Sequence, residues 1–141
     1  MVLGLPDDER IEKTLDIVGL SYLLKDKKHV SNFSLGMRQR LGIAMALLGD
    51  PEFLILDEPT TGLHTDDVGK LIEILQKLVN TGNTVVVIEH NLELIKCSDY
   101  IIDMGPEGGN GGGNVVFAGT PEEIINCSES YTGRYLKGLL K

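Results

Sequence analysis

Two adjacent carboxylates, Asp57 and Glu58, end an apolar run in FLILDEPTTGLH, residues 53–64. A short buried strand that stops on paired acids presents oxygen ligands at its carboxyl end. Oxygen is what Mg²⁺ takes, and a second carboxylate beside it can polarise a water for in-line attack on a phosphate. Read alone, the same pair equally suits a plain strand end that caps the next helix. Two neighbouring stretches favour the phosphate. Upstream, NFSLGMRQR sets Ser34 and Gly36 at the opening of a helix, which aims free backbone N–H groups and the positive helix end at an anion. Downstream, VVVIEH puts His90 just beyond a strand, where an imidazole can hydrogen-bond a phosphate oxygen.

The elements that must position these residues are readable from periodicity. DDERIEKTLDIV (7–18) reads as a helix capped by Asp7, with Ile11, Leu15 and Val18 at helical spacing and Gly19 as its stop. A polar stretch with Lys25, Lys27 and Lys28 follows as a solvated loop. Ser34 then opens a second helix with Leu41, Met45 and Leu48 along one face, broken at Asp50-Pro51. FLILD is a buried strand, Thr65 caps a long amphipathic helix through Asn80, and Gly82 ends it. That helix is expected to turn Asp66, Asp67, Lys70, Glu73 and Lys77 outward as an ordinary solvated face. TVVVIE is a second strand, Asn91 starts the short helix LELIKC, and YIIDM is a third strand. Alternation of apolar strands with helices is the signature of a parallel sheet with crossover connections.

Residues 105–114, GPEGGNGGGN, are dense in glycine, yet no Lys-Ser or Lys-Thr follows and no apolar helix opens from them. They read as a hairpin-like connection into VVFAG. Thr120-Pro121-Glu122-Glu123 is a helix start with proline at its first position and a capping-box glutamate. SYTGRYLKGLL reads as a surface helix or ordered tail.

The chain of 141 residues is long enough for one core, and its 42% hydrophobic and 24% charged residues are ordinary for a globular protein. No apolar run is long enough to cross a bilayer, and the amino terminus lacks a secretory pattern, so a cytoplasmic protein is expected. A net charge of −8, with 5% aromatics and no Trp, works against this piece alone holding DNA. Cys97 and Cys127 have no CxxC spacing and read as small, at least half-buried residues rather than zinc ligands.

The order SLGMRQR, LILDEPTTGLH, VVVIEH resembles the second half of an ABC-type ATPase domain. The resemblance implies an α/β fold: part of a P-loop NTPase core of the RecA-like or ABC kind, with a mostly parallel sheet, flanking helices and an N-terminal helical segment. Residues 1–33 would be the remnant of the family's helical subdomain. Residues 34–141 would hold the signature helix, Walker B strand, D-loop, switch histidine and C-terminal part of the core. Residue by residue, the signature after Phe33 would be Ser34, Leu35, Gly36 and Met37, with Leu35 and Met37 in place of the usual Gly and Gln. Walker B would end on Asp57, the Mg²⁺ ligand, with Glu58 as catalytic base. The D-loop after Thr61 would be Gly62, Leu63 and His64, with His64 where most members carry Asp, and the switch residue would be His90.

Within the family, residues from about 4 to 63 look like transporter ATPases of the bacitracin-export type. Residues from about 54 to 141 look like the C-terminal end of the UvrA excinuclease family, including TGLH, the glycine-dense stretch, AGTPEEI and SYTGRYLK. The pattern reads as a hybrid with a seam in the Walker B stretch. It favours a nucleotide-excision-repair ATPase core, with a transporter ATP-binding subunit fragment (and hence a membrane-protein partner) or a catalytically silent fragment or engineered hybrid as alternatives.

The family needs a GxxxxGK[ST] phosphate cradle, and the only Gly-Lys pair here, Gly69-Lys70, lies mid-helix with His64 and Leu71 at the wrong positions. ATP and Mg²⁺ are therefore expected only with a completing partner: another ABC half or a cradle-bearing segment. The strand that would lie between TVVVIE and YIIDM in the family's sheet is missing too, so strand swapping or self-association is expected.

Overall fold

The computed structural model describes residues 7–26, 28–105 and 113–140. They fall into two compact units that divide between Ile88 and Glu89.

In the first unit, α1 (Asp8–Ile17) begins where Asp7 Oδ1 accepts the Arg10 amide at 2.8 Å, satisfying one of the donors a helix start leaves open. It ends at Gly19, whose φ of +65° lies in the left-handed region. Two single turns, Ser21–Leu24 and Val30–Asn32, lead to α2 (Leu35–Leu47). The buried side of α2 is formed by Gly36, Met37, Ile43, Ala44 and Leu47, whereas Met45 is exposed. The expected face of Leu41, Met45 and Leu48 is thus corrected. Apolar residues run nearly all round this helix, and packing against α1 rather than periodicity selects the inward side. After α2, Asp50 adopts φ +54° and its carboxylate stands 3.5 Å from Arg10.

Strand β1 (Phe53–Asp57) pairs in parallel with β2 (Thr84–Ile88), Phe53 opposite Thr84 and Asp57 opposite Ile88. Between them runs α3 (Thr65–Asn80), whose Val68, Leu71, Ile74, Leu75 and Leu78 are buried. The sheet is not buried on both sides, as continuous apolar runs suggested. Phe53, Ile55, Val86 and Ile88 share its other face and are exposed.

The second unit opens with α4 (Leu92–Ile95), capped by Asn91 Oδ1 accepting from the Glu93 amide. Here Lys96 donates to Glu93 Oε2 at 2.6 Å, and that hydrogen bond raises the amine above its ordinary range. Strand β3 (Ile101–Gly105) pairs antiparallel with β4 (Asn114–Gly119), with a register shift between Asp103 and Met104. Parallel pairing is therefore seen for the first two strands, while the third enters an antiparallel ladder with the strand that follows it, as strands joined by short connections do. Most of the glycine-dense connection, residues 106–112, lies outside the described residues, as does Lys27.

Helix α5 (Pro121–Ile124) starts with the Thr120 amide donating to Glu123 Oε2 at 2.9 Å. Helix α6 (Tyr131–Leu136) is no surface appendage. Leu136 and Ile124 are fully buried with Ile101, and Leu92, Ile95, Phe117, Ile125 and Leu140 pack around them. Asp103 accepts from Ser130 Oγ at 2.6 Å and from Thr132 Oγ1 at 2.9 Å, and Ser130 Oγ in turn accepts the Gly133 amide. Both cysteines are free thiols. Cys127 is half-buried but Cys97 is exposed, contrary to expectation.

Candidate functional site

Apart from His90, the residues singled out from the sequence sit on two sides of one loop in the first unit. On one side, β1 ends at Asp57, whose side chain is exposed. Glu58 leaves the strand with φ +44°, a conformation that costs a non-glycine residue energy and recurs at functional sites. Its amide donates to the Ile88 carbonyl at 2.9 Å, which extends the parallel ladder by one bond and fixes the turn. Thr61 Oγ1 donates to Glu58 Oε2 at 3.2 Å, and the Thr61 amide donates to the Glu58 carbonyl. Pro59 and Thr60 are buried beneath, so the loop stands on packed residues.

On the other side, Ser34 caps α2, its Oγ accepting the Met37 amide at 3.1 Å. That bond uses one of the helix's open donors and leaves the others at the first turn for another acceptor. Leu35 is exposed, whereas Gly36 and Met37 are buried. Met37 is buried, with its sulfur within 3.9 Å of the Lys28 ammonium.

The two sides meet. Gly62 has φ +74°, and a Cβ built on it would lie 3.0 Å from Leu35 Cδ2. The turn at Gly62 and the start of α2 therefore lie against each other. His64 does what Thr65 was expected to do: it is the N-cap of α3, with Nδ1 facing the Asp66 amide at 3.5 Å and the Asp66 carboxylate at 4.0 Å. Leu63 is half-buried between. Asp67 was expected among the outward acids of α3, but its side chain is only 25% exposed and packs against Gly36. Nothing in the local pattern marks this, because the contact joins residues far apart in sequence.

His90 belongs to the second unit and is exposed there. Glu89 Oε2 accepts the amides of both His90 and Asn91, at 2.8 and 2.9 Å, which holds the backbone around the histidine in a defined turn.

As a cation site the acids are incomplete by themselves: among the described residues no group of three His, Cys, Asp or Glu side chains stands close enough to hold a metal ion. An exposed Asp57 at a strand end nevertheless fits Mg²⁺, which binds through one or two carboxylates and takes its remaining ligands from phosphate and water. No described helix is long and apolar enough to cross a membrane.

Comparison with known proteins gives the context. The family model described as ABC transporter matches residues 5–61. The UvrABC system protein A of Rickettsia bellii is 55% identical over 91% of this chain and 14% of its own length, and that of Bacillus subtilis 50% identical over 98% and 15%. Among solved structures, UvrA2 from Deinococcus radiodurans superposes with a TM-score of 0.75 at 40% identity, covering 95% of this chain and 17% of that one. A nucleotide-free ATP-binding cassette from an ABC transporter gives 0.73 at 24% identity, covering 92% of this chain and 49% of the other, and speaks for the fold. The matches to UvrABC system protein A run through both halves of the chain and lend no support to a seam or to a separate transporter-type amino-terminal half.

Proposed function

Because the chain is a UvrA-like member of the ABC-type ATPases, matching 14–15% of the length of such relatives, we propose that it forms the signature, Walker B and switch portion of a Mg-ATP-hydrolysing core. The observation that carries this reading is the packing of the start of α2 onto the loop behind the paired acids, Gly62 against Leu35. Signature turn and D-loop are thus neighbours within the first unit, so two half-sites built on them are joined through one scaffold.

In this reading Glu58 takes a proton from the attacking water, held in aim by the Thr61 hydroxyl. Asp57 would hold Mg²⁺, and the ion when bound would neutralise charge on the transferring phosphoryl group. Ser34 and the first turn of α2, with the open amides of Leu35 and Gly36 and the Ser34-capped Met37, face the phosphates of a nucleotide whose cradle lies on another segment. His90 hydrogen-bonds a phosphate oxygen. Gly62, Leu63 and His64 shape the connecting loop, His64 through its cap on α3.

Residues 1–33 act as part of the helical subdomain and 34–141 as the catalytic portion. The completing element carries the GxxxxGK[ST] cradle that residues 1–141 lack. Exposure of Phe53, Ile55, Val86 and Ile88 on one face of the sheet supports such a completion, since apolar sheet faces are ordinarily covered. A place in nucleotide-excision repair, in the cytoplasm, belongs to the same proposal, with DNA held elsewhere than on this chain of net charge −8.

Titrating the purified chain with Mg-ATP tests it. The expected result is no saturable binding by the chain alone, and hydrolysis when a cradle-bearing half of a UvrA-type ATPase is added. Steady turnover by the lone chain would overturn the reading. Sedimentation adds a second check, with self-association of the chain relieved by Ile55→Lys.

A further inference from the structure

We infer that Asp67 is a positioning residue, and that its carboxylate, rather than any approach of a ligand, is what demands glycine at position 36. The inference rests on the reading of α2 as the signature helix. A Cβ built on Gly36 would lie 2.5 Å from Asp67 Cγ and 2.6 and 2.9 Å from its two carboxylate oxygens. No real Cβ contact is that short, and the atoms met are not the loose end of a long side chain. Asp67 is on the first turn of α3, its side chain three-quarters withdrawn from solvent, and Lys70 Nζ stands 3.5 Å from its Oδ1. Swinging the carboxylate aside would move it from this ion pair and from the turn it packs on.

The placement is electrostatically favourable. Gly36 is in the first turn of α2, where the helix end is positive and its amides lack intrahelical partners. A carboxylate wedged against that turn is attracted to it, and Lys70 offsets the remaining charge. Together with the Gly62–Leu35 contact, this fastens the start of α2 to the loop at two points, one before and one after His64.

The consequence concerns coupling. In the proposed assembly the start of α2 addresses a nucleotide held by another segment, while Asp57 and Glu58 address the one whose cradle completes their own half. Residues 58–67 run from the acids to Asp67. The Asp67 wedge makes the signature turn and this loop a single body, so a shift at one is carried to the other.

A double-mutant cycle with Gly36→Ala and Asp67→Ala separates this from a ligand-driven need for glycine. Two readouts apply: urea unfolding of the chain alone, and kcat and KM for Mg-ATP in the reconstituted assay. Gly36→Ala should lower the urea midpoint and cut kcat on the order of 10- to 100-fold, the scale of a small misplacement of catalytic groups. Placed on Asp67→Ala, the same substitution should cost little in either readout. Asp67→Ala alone should lower kcat with KM nearly unchanged, and Asp67→Asn, which keeps the planar group against Gly36, should recover most of that loss. Equal cost of Gly36→Ala in both backgrounds would overturn the inference and assign the glycine to the ligand, as would a loss confined to KM. Absence of hydrolysis with the unmutated chain would defeat the functional reading instead, and the urea cycle would still decide whether Asp67 and Gly36 are coupled.

Discussion

The two units use their polar residues in opposite ways. In the first, the paired acids proposed for chemistry, Asp57 and Glu58, stand exposed at the end of β1, and the core is apolar packing by Val18, Leu20, Ile43, Leu47, Leu71, Ile74 and Leu78. In the second, the helices are four to six residues long and the core is three fully or nearly buried side chains, so buried hydrogen bonds take over. Ser130 is fully buried and joins Asp103 to the Gly133 amide; its neighbour Thr132 bonds the same carboxylate. The paired acids of the first unit stand at the rim of a scaffold whose core is apolar, whereas Asp67 of the same unit is used in packing. An acid in the second unit, Asp103, is committed to holding the fold. A short helix cannot bury enough apolar area to hold itself, and a satisfied buried network supplies the missing definition.

That contrast can be broken or sharpened by substitution. The largest effect expected is Glu58→Gln in the reconstituted assay, a fall in kcat of about 10²- to 10⁴-fold with the urea midpoint of the chain unmoved. A comparable loss of stability would mean the acid is structural after all. Next is Leu136→Ala, which removes a fully buried side chain of the second unit and should destabilise it by about 2–5 kcal/mol. Amide hydrogen exchange should then rise across β3, β4 and α5 while α2 and α3 keep their protection. Uniform loss of protection would show one cooperative unit instead of two.

Ser130→Ala comes third, at about 1–3 kcal/mol, because the Gly133 amide and one oxygen of Asp103 lose a buried partner. Guanidinium or urea melts followed by a probe in the second unit would read it, with reconstituted turnover per folded molecule unchanged. The smallest is Ser34→Ala, about 1 kcal/mol from loss of the α2 cap. A change well beyond that in the melting curve would place Ser34 among the structural residues and blur the comparison.

Much of the scaffold was legible from local pattern. Asp7, Ser34, Asn91 and Glu123 bond donors no more than three residues away, so each helix start follows from its own short stretch. The paired acids at the end of β1 and the histidine beyond β2 follow from the same local reading. What escaped it was facing. The inward side of α2 was misjudged because its apolar residues encircle the helix. The sheet was expected to be covered on both sides, although an apolar run says only that a strand can be buried. Asp67 looked like one more surface acid of α3, and the tail containing Ser130 looked superficial.

The sequence by itself therefore determined where most of the helices and strands lie, and which side chains are candidates for meeting a phosphate, since both depend on a residue and its neighbours within a turn or two. Only tertiary structure decided what those side chains touch. Ser130 meets Asp103 across 27 residues, and Asp67 reaches Gly36 from a different helix. Contacts of that kind are set by how elements stack once apolar faces are buried, and no local rule of spacing encodes the stacking.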